Sequence, residues 1–199
     1  EVIAIDLAPE PREAWRRAAR VSSFPVDADL DGDGEEDVLS CGSDDGLVAF
    51  NGRDGKVLWT ADCGHLEIPS VPAVGDLDGD GVPEVVLPRE SDLLVFSGAD
   101  GKLLRTLDVA ARNVPPLLAD VAGDPRPEIV CAAGSSFLAL DPRDGTAVFR
   151  YDADSPASGP PVLSDFDGDG RQDAVWTGTD GLVASFALEP PPVVWRQGA

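Results

Sequence analysis

The stretch DADLDGDGEEDVLSCGSDDGLVAFNGRDGKVLW, residues 27–59, carries two signals at once. It opens with an acidic, glycine-rich loop in which Asp29, Asp31, Asp33 and Asp37 occupy positions 1, 3, 5 and 9. It continues with short apolar runs, Val38–Leu39, Leu47–Phe50 and Val57–Trp59, separated by turn residues. Asp54-Gly55 lies between the last two runs. Such a pair is a hairpin signal because glycine accepts positive φ cheaply, so a two-residue turn is expected here.

The same pattern returns three more times. It reads VGDLDGDGVPEVVLPRESDLLVFSGADGKLLR over 74–105 and LADVAGDPRPEIVCAAGSSFLALDPRDGTAVFR over 118–150. The last copy is LSDFDGDGRQDAVWTGTDGLVASFALEPPPVVW, over 163–195. The leading acids Asp29, Asp76, Asp120 and Asp165 recur about every 45 residues. A short apolar stretch precedes each loop, so each unit predicts four short strands. No segment shows sustained helical periodicity. Four antiparallel strands in a repeat of this length suit a β-propeller blade. The predicted fold is therefore all-β, about four and a half blades in one repeat array over residues 1–199. The expected divisions are a half blade over 1–20 and blades over 21–65, 66–111, 112–155 and 156–199. The half blade is read from EVIAIDLAPEPREAW, which aligns with the end of the fourth unit at Trp195. A half unit implies a larger propeller, or completion by association with another copy. The abrupt, strand-like start reads as a mature or excised product, so targeting is not legible from it.

The loops carry the chemistry. Asp76, Asp78, Asp80 and Glu84 repeat the spacing of the first loop, and so do Asp165, Asp167, Asp169 and Asp173. Alternate acids on a tight turn aim several carboxylates at one centre. Hard oxygen donors on a flexible loop suit Ca²⁺ better than Mg²⁺, which demands a rigid octahedron. Glu35, Val82 and Arg171 stand at position 7, where varied side chains fit a main-chain carbonyl ligand. An EF-hand would need a bidentate Glu at position 12 and flanking helices. Position 12 is instead Ser40, Leu87 and Trp176, and the flanks read as strands. The third loop, Asp120/Asp124/Glu128, has Ala122 and Pro125 where the others have Asp and Gly, so a weak or empty site is expected there, with Arg126 supplying local positive charge.

These loops resemble the FG-GAP repeats of integrin α-subunit propellers and the related bacterial VCBS-type repeats. The resemblance implies calcium held between the first two strands of a blade by Asp29, Asp31, Asp33, Asp37, by Asp76, Asp78, Asp80, Glu84, and by Asp165, Asp167, Asp169, Asp173. A second, local resemblance links AFNGRDGKVLW, residues 49–59, to the tryptophan-docking motif of quinoprotein (PQQ-type) propellers. Trp15, Trp59, Phe149 and Trp195 recur at its last position, with Arg105 the exception. It implies packing between blades and no quinone.

The chain has 37 acids against 15 bases, a formal charge of −22. That sign opposes a nucleic-acid partner. The acids sit in spaced loops rather than a block, which suits cations. Cys41, Cys63 and Cys131 form no CxxC; a Cys41–Cys63 disulfide and three buried free thiols both remain open. The single histidine, His65, reads as a solvated loop residue. No Gly-x-Ser-x-Gly, HExxH or P-loop is present. The expected role is thus a non-catalytic, calcium-stabilised module outside the cytoplasm, of adhesion or sensor type, binding a protein or a carbohydrate, with self-association through incomplete blade edges. The alternative is part of a propeller enzyme, such as a polysaccharide lyase or quinoprotein relative.

Overall fold

The computed structural model describes all residues except 8, 22, 43–45, 65–70, 90, 110–113, 124–125, 170–171, 182, 188–193 and 198–199. Eighteen strands and no helix are found among the described residues. A first hairpin pairs β1 (Val2–Asp6) with β2 (Arg12–Arg17). Four sheets of four strands follow, each antiparallel and in chain order. The first holds β3 (Val26–Ala28), β4 (Asp37–Gly42), β5 (Gly46–Phe50) and β6 (Val57–Ala61). The second holds β7 (Ala73–Gly75), β8 (Glu84–Pro88), β9 (Leu93–Ser97) and β10 (Leu103–Leu107). The third holds β11 (Leu117–Ala119), β12 (Glu128–Ala133), β13 (Ser136–Leu140) and β14 (Ala147–Asp152). The fourth holds β15 (Val162–Ser164), β16 (Asp173–Thr177), β17 (Val183–Ala187) and β18 (Val194–Gln197). The short first strands lie side by side, β3 beside β7 and β7 beside β11.

The apolar runs explain the stacking. Side chains alternate across a strand, so each sheet has two faces. In the second sheet Val85, Leu87, Leu94 and Phe96 pack with Leu39, Leu47 and Ala49 of the first. Its other face, with Val86, Leu93 and Val95, packs with Ile129, Cys131, Leu138 and Leu140 of the third. Both faces are buried, which is why the two middle strands read as unbroken apolar runs rather than as polar–apolar alternation. The third and fourth sheets meet through Val130, Phe137, Ala139, Ala174 and Trp176. The first hairpin joins the stack through Trp15, which packs on Val48 and Phe50. Outer strands are wetter: Val57, Leu103, Leu104 and Val148 are exposed.

The Asp-Gly hairpins differ from the expected two-residue turn. Asn51 N–H donates to Lys56 O and Gly55 N–H to Asn51 O, both at 2.7 Å. The loop therefore encloses four residues, Gly52 to Gly55, and ends on a left-handed glycine with φ of 66°. A bulge follows between Ala49 and Phe50 in the pairing of β5 with β6. The turns at Ser97–Lys102 and Asp141–Thr146 repeat the two hydrogen bonds. The extra i→i+4 bond keeps the turn helical for one step before the glycine reverses it.

Cys41, Cys63 and Cys131 are buried free thiols, so of the two cysteine readings the structure has the unbridged one. Burial pushes Cys131 up to about 12.

Candidate metal centres in the acidic loops

Each loop joins the first strand of a sheet to the second, and its acids divide into two groups. The acid at position 9 opens the second strand and is buried. Asp37, Glu84, Glu128 and Asp173 are all nearly inaccessible. Each accepts the backbone N–H of position 2: Leu30 at 3.1 Å, Leu77 at 2.8 Å, Val121 at 2.8 Å and Phe166 at 2.8 Å. The acid at position 1 wraps the turn. Asp29 accepts Gly32 N–H at 2.8 Å and Gly34 N–H at 3.0 Å, and Asp76 accepts Gly79 at 2.7 Å and Gly81 at 2.9 Å. Gly32 and Gly34 have φ of 76° and 86°, a conformation side chains oppose. Asp31 and Asp33 each accept an N–H two residues on, as Asx-turns do, and Asp78 and Asp80 do the same.

These bonds bring the carboxylates together. Ligand atoms of Asp29, Asp31 and Asp33 lie within 4.8 Å of one another. So do those of Asp76, Asp78 and Glu84, and of Asp165, Asp167 and Asp173. Each trio could hold a metal ion. The trios differ in one respect. In the second and fourth loops the buried position-9 acid joins, whereas Asp37 is spent on Leu30, Asp31 and Gly52 N–H. Asp80 lies outside the second trio and accepts Val82 N–H at 2.8 Å. Asp169 lies outside the fourth trio and donates its N–H to Asp165 and Asp167. Glu35 points its carboxylate at Arg53, at 3.2 Å. Arg171 lies outside the described residues, as do His65, Asp124 and Pro125.

Burial pushes the Glu84 carboxyl up, and the charges of Asp78, Asp80 and Asp76 push the same way against the Leu77 N–H. Burial likewise raises Asp37, opposed by the N–H groups of Gly52 and Leu30. Asp76 is held low by the N–H groups of Gly79 and Gly81. Clustered carboxylates without a nearby cation are electrostatically costly.

The third loop is built differently. Asp120 accepts Gly123 N–H and Glu128 accepts Val121 and Ala122 N–H, so the frame of the turn is kept. Ala122 supplies no donor, and no acid trio forms there among the described residues. Cationic side chains gather instead. Arg143 binds Asp141 and lowers it to about 2, with the charge of Arg126 adding to the effect.

At three joints the docking residue at the end of one unit reaches the next sheet. Trp15 Nε1 donates to Gly52 O at 2.7 Å, and Trp59 Nε1 to Gly98 O at 2.6 Å. At the next joint Arg105 Nη1 donates to Pro142 O at 2.9 Å. Packing between blades, as the tryptophan-docking resemblance implies, is seen for Trp15 and Trp59; the Trp195 side chain lies outside the described residues. Sequence reasoning missed these acceptors, whose only signal is a glycine or proline at one fixed place in each turn.

Residues 29–87 match the FG-GAP-like repeat family. No curated protein matches the chain in sequence. Solved structures do share its fold. BamB from Moraxella catarrhalis aligns with a TM-score of 0.68 over 98% of this chain and 55% of its own, at 15% identity. The Vibrio cholerae biofilm matrix protein Bap1 aligns at 0.61 over 100% and 43%, with 18% identity. The exotype rhamnogalacturonan lyase YesX aligns at 0.58 over 92% and 46%, also with 18% identity. The chain thus spans about half the length of these structures. The class is a β-propeller fold built of four-stranded blades. More particularly, its first two acidic loops lie in the stretch that matches the FG-GAP-like repeat.

Proposed function

We propose that the chain is a calcium-stabilised propeller module that binds a protein or a glycan outside the cytoplasm and performs no catalysis. The observation that carries the calcium reading is the convergence of three carboxylate trios on glycine-built turns. Their donors are hard oxygens on a flexible loop, which fits Ca²⁺; the third loop does not fit, for want of a donor at Ala122. Most of the trio acids are solvent-exposed, which suits the weak affinities of extracellular calcium modules, Kd of about 10⁻⁴–10⁻³ M. The fold likeness to a biofilm matrix protein supports a place outside the cell and a binding role. Self-association belongs to the same reading: among the described residues β1 pairs with β2 alone, and Ile3 and Ile5 are exposed beside that edge.

Calorimetric titration with Ca²⁺ should give three sites, and Asp78→Ala should leave two. Absence of binding would remove the calcium reading. Immobilised protein should then retain a glycan or protein ligand only with Ca²⁺ present. The second reading, part of a polysaccharide-cleaving enzyme, is favoured by the fold likeness to a lyase. Release of unsaturated products from pectic polysaccharide by the intact protein would establish it against the first.

A further inference from the structure

We infer that Trp15 and Trp59 are positioning residues for the cation loops of the blades that follow them, so that filling a loop tightens the joint to the preceding blade. This rests on the calcium reading above. The connection runs through a single residue, Gly52. Gly52 O accepts the indole N–H of Trp15 at 2.7 Å, while Gly52 N–H donates to Asp37 Oδ1 at 3.1 Å. Asp37 in turn accepts the N–H groups of Leu30 and Asp31, inside the first loop. Gly98 keeps the tryptophan link but reaches its loop through the main chain rather than a carboxylate. Its carbonyl accepts Trp59 Nε1 at 2.6 Å, and its N–H donates at 2.8 Å to Pro83 O, next to Glu84 of the second trio.

The close approach leaves no room for a side chain. A Cβ on Gly52 would lie 1.9 Å from Glu36 O, and one on Gly98 would lie 2.3 Å from Pro83 O. The glycine that ends each turn is covered by the same tryptophan: a Cβ on Gly55 would meet the Trp15 ring at 2.6 Å, and one on Gly101 the Trp59 ring at 2.4 Å. The hairpin is therefore clamped, with the loop of its own blade on one side and the indole of the preceding blade on the other.

The third blade provides an internal contrast. Pro142 replaces the glycine and has no N–H to give the loop. Arg105 replaces the tryptophan, and Ala122 replaces a loop acid. The glycine N–H, the indole and one loop acid are replaced together in the blade where no trio forms among the described residues, while Arg105 keeps a hydrogen bond across the joint. A coupling carried by this chain of hydrogen bonds is reciprocal: whatever cation binding does to the joint, the joint does equally to cation binding.

The test is a ¹H–¹⁵N spectrum of the indole N–H groups during Ca²⁺ titration of the whole chain. Trp15 and Trp59 should shift and become protected from exchange. Asp78→Ala should abolish the Trp59 response and keep that of Trp15, and Asp31→Ala the reverse. In a chain whose first and fourth loops are disabled by Asp31→Ala and Asp167→Ala, Trp59→Phe should weaken Ca²⁺ at the second loop by roughly two- to tenfold, the loss of one hydrogen bond. With only the fourth loop intact, the same substitution should leave affinity unchanged. Loop amides that respond to Ca²⁺ while both indoles stay silent would overturn the coupling and leave the calcium sites standing. A Trp59 response that persists in Asp78→Ala would overturn it too. No response anywhere would remove the calcium reading and the coupling with it.

Discussion

At the scale of single residues, the position-9 acid does two jobs that oppose each other. Glu84 holds the Leu77 N–H and is nearly inaccessible, beside three further acids. Its carboxyl is pushed above the ordinary range, so without a cation the folded chain binds more protons than the unfolded one. That contribution favours the fold at low pH and is lost as pH rises through the raised pKa. Glu84→Gln keeps an acceptor for Leu77 and removes the charge. In chelator, its stability relative to wild type should therefore grow between pH 4 and 7, read by urea unfolding at each pH. In saturating Ca²⁺ the order should reverse, because the variant has lost a ligand. Gly98→Ala tests the close approach to Pro83. Gly98 is not among the positive-φ glycines, so its cost is steric, about 1–3 kcal/mol, visible as a lower melting temperature. The spacing of the acids is legible in sequence because alternate positions on a turn share a centre. Which of them joins the trio is not legible. Asp37 and Asp173 look alike in sequence, yet Asp173 joins its trio and Asp37 serves Gly52.

At the scale of the strand, burial separates middle strands from outer ones. Phe96 in β9 is 1% exposed and packs against the first sheet, whereas Leu104 in β10 is 41% exposed. Phe96→Ala should cost about 3–5 kcal/mol, while Leu104→Ala should stay within about 0.5 kcal/mol. Denaturant midpoints at constant slope would show the contrast; equal costs would contradict the assigned faces. The strands were readable because apolar runs, loops and Asp-Gly pairs keep phase over four units. The turn was misread because Asp-Gly marks the end of the hairpin loop and not its whole length. Gly52 and Gly98 carry the signal for the longer turn, but a glycine two residues before Asp-Gly does not say what approaches it.

At the scale of the whole molecule, charge and stacking meet. The first three blades are buried on both faces by their neighbours, so stability is close to a sum of blade and joint contributions. The acidic loops add to a net charge of −22. Cations that bind the folded loops alone stabilise the chain by mass action, about 2.7 kcal/mol for a site at a hundred times its Kd. Among the described residues β1 pairs with β2 alone, and the proposed self-association predicts sedimentation as a species heavier than a monomer at high concentration, while a monomer at all concentrations would argue against it. The repeat count was visible in the sequence. The joints were visible only as recurring Trp, because their acceptors are main-chain atoms with no residue identity. The most direct test of the central claim is thermal unfolding of the intact chain in chelator and in a Ca²⁺ series. The melting temperature should climb with Ca²⁺ concentration, and the climb should shrink in Asp78→Ala without disappearing. A melting temperature identical in chelator and in millimolar Ca²⁺ would contradict it.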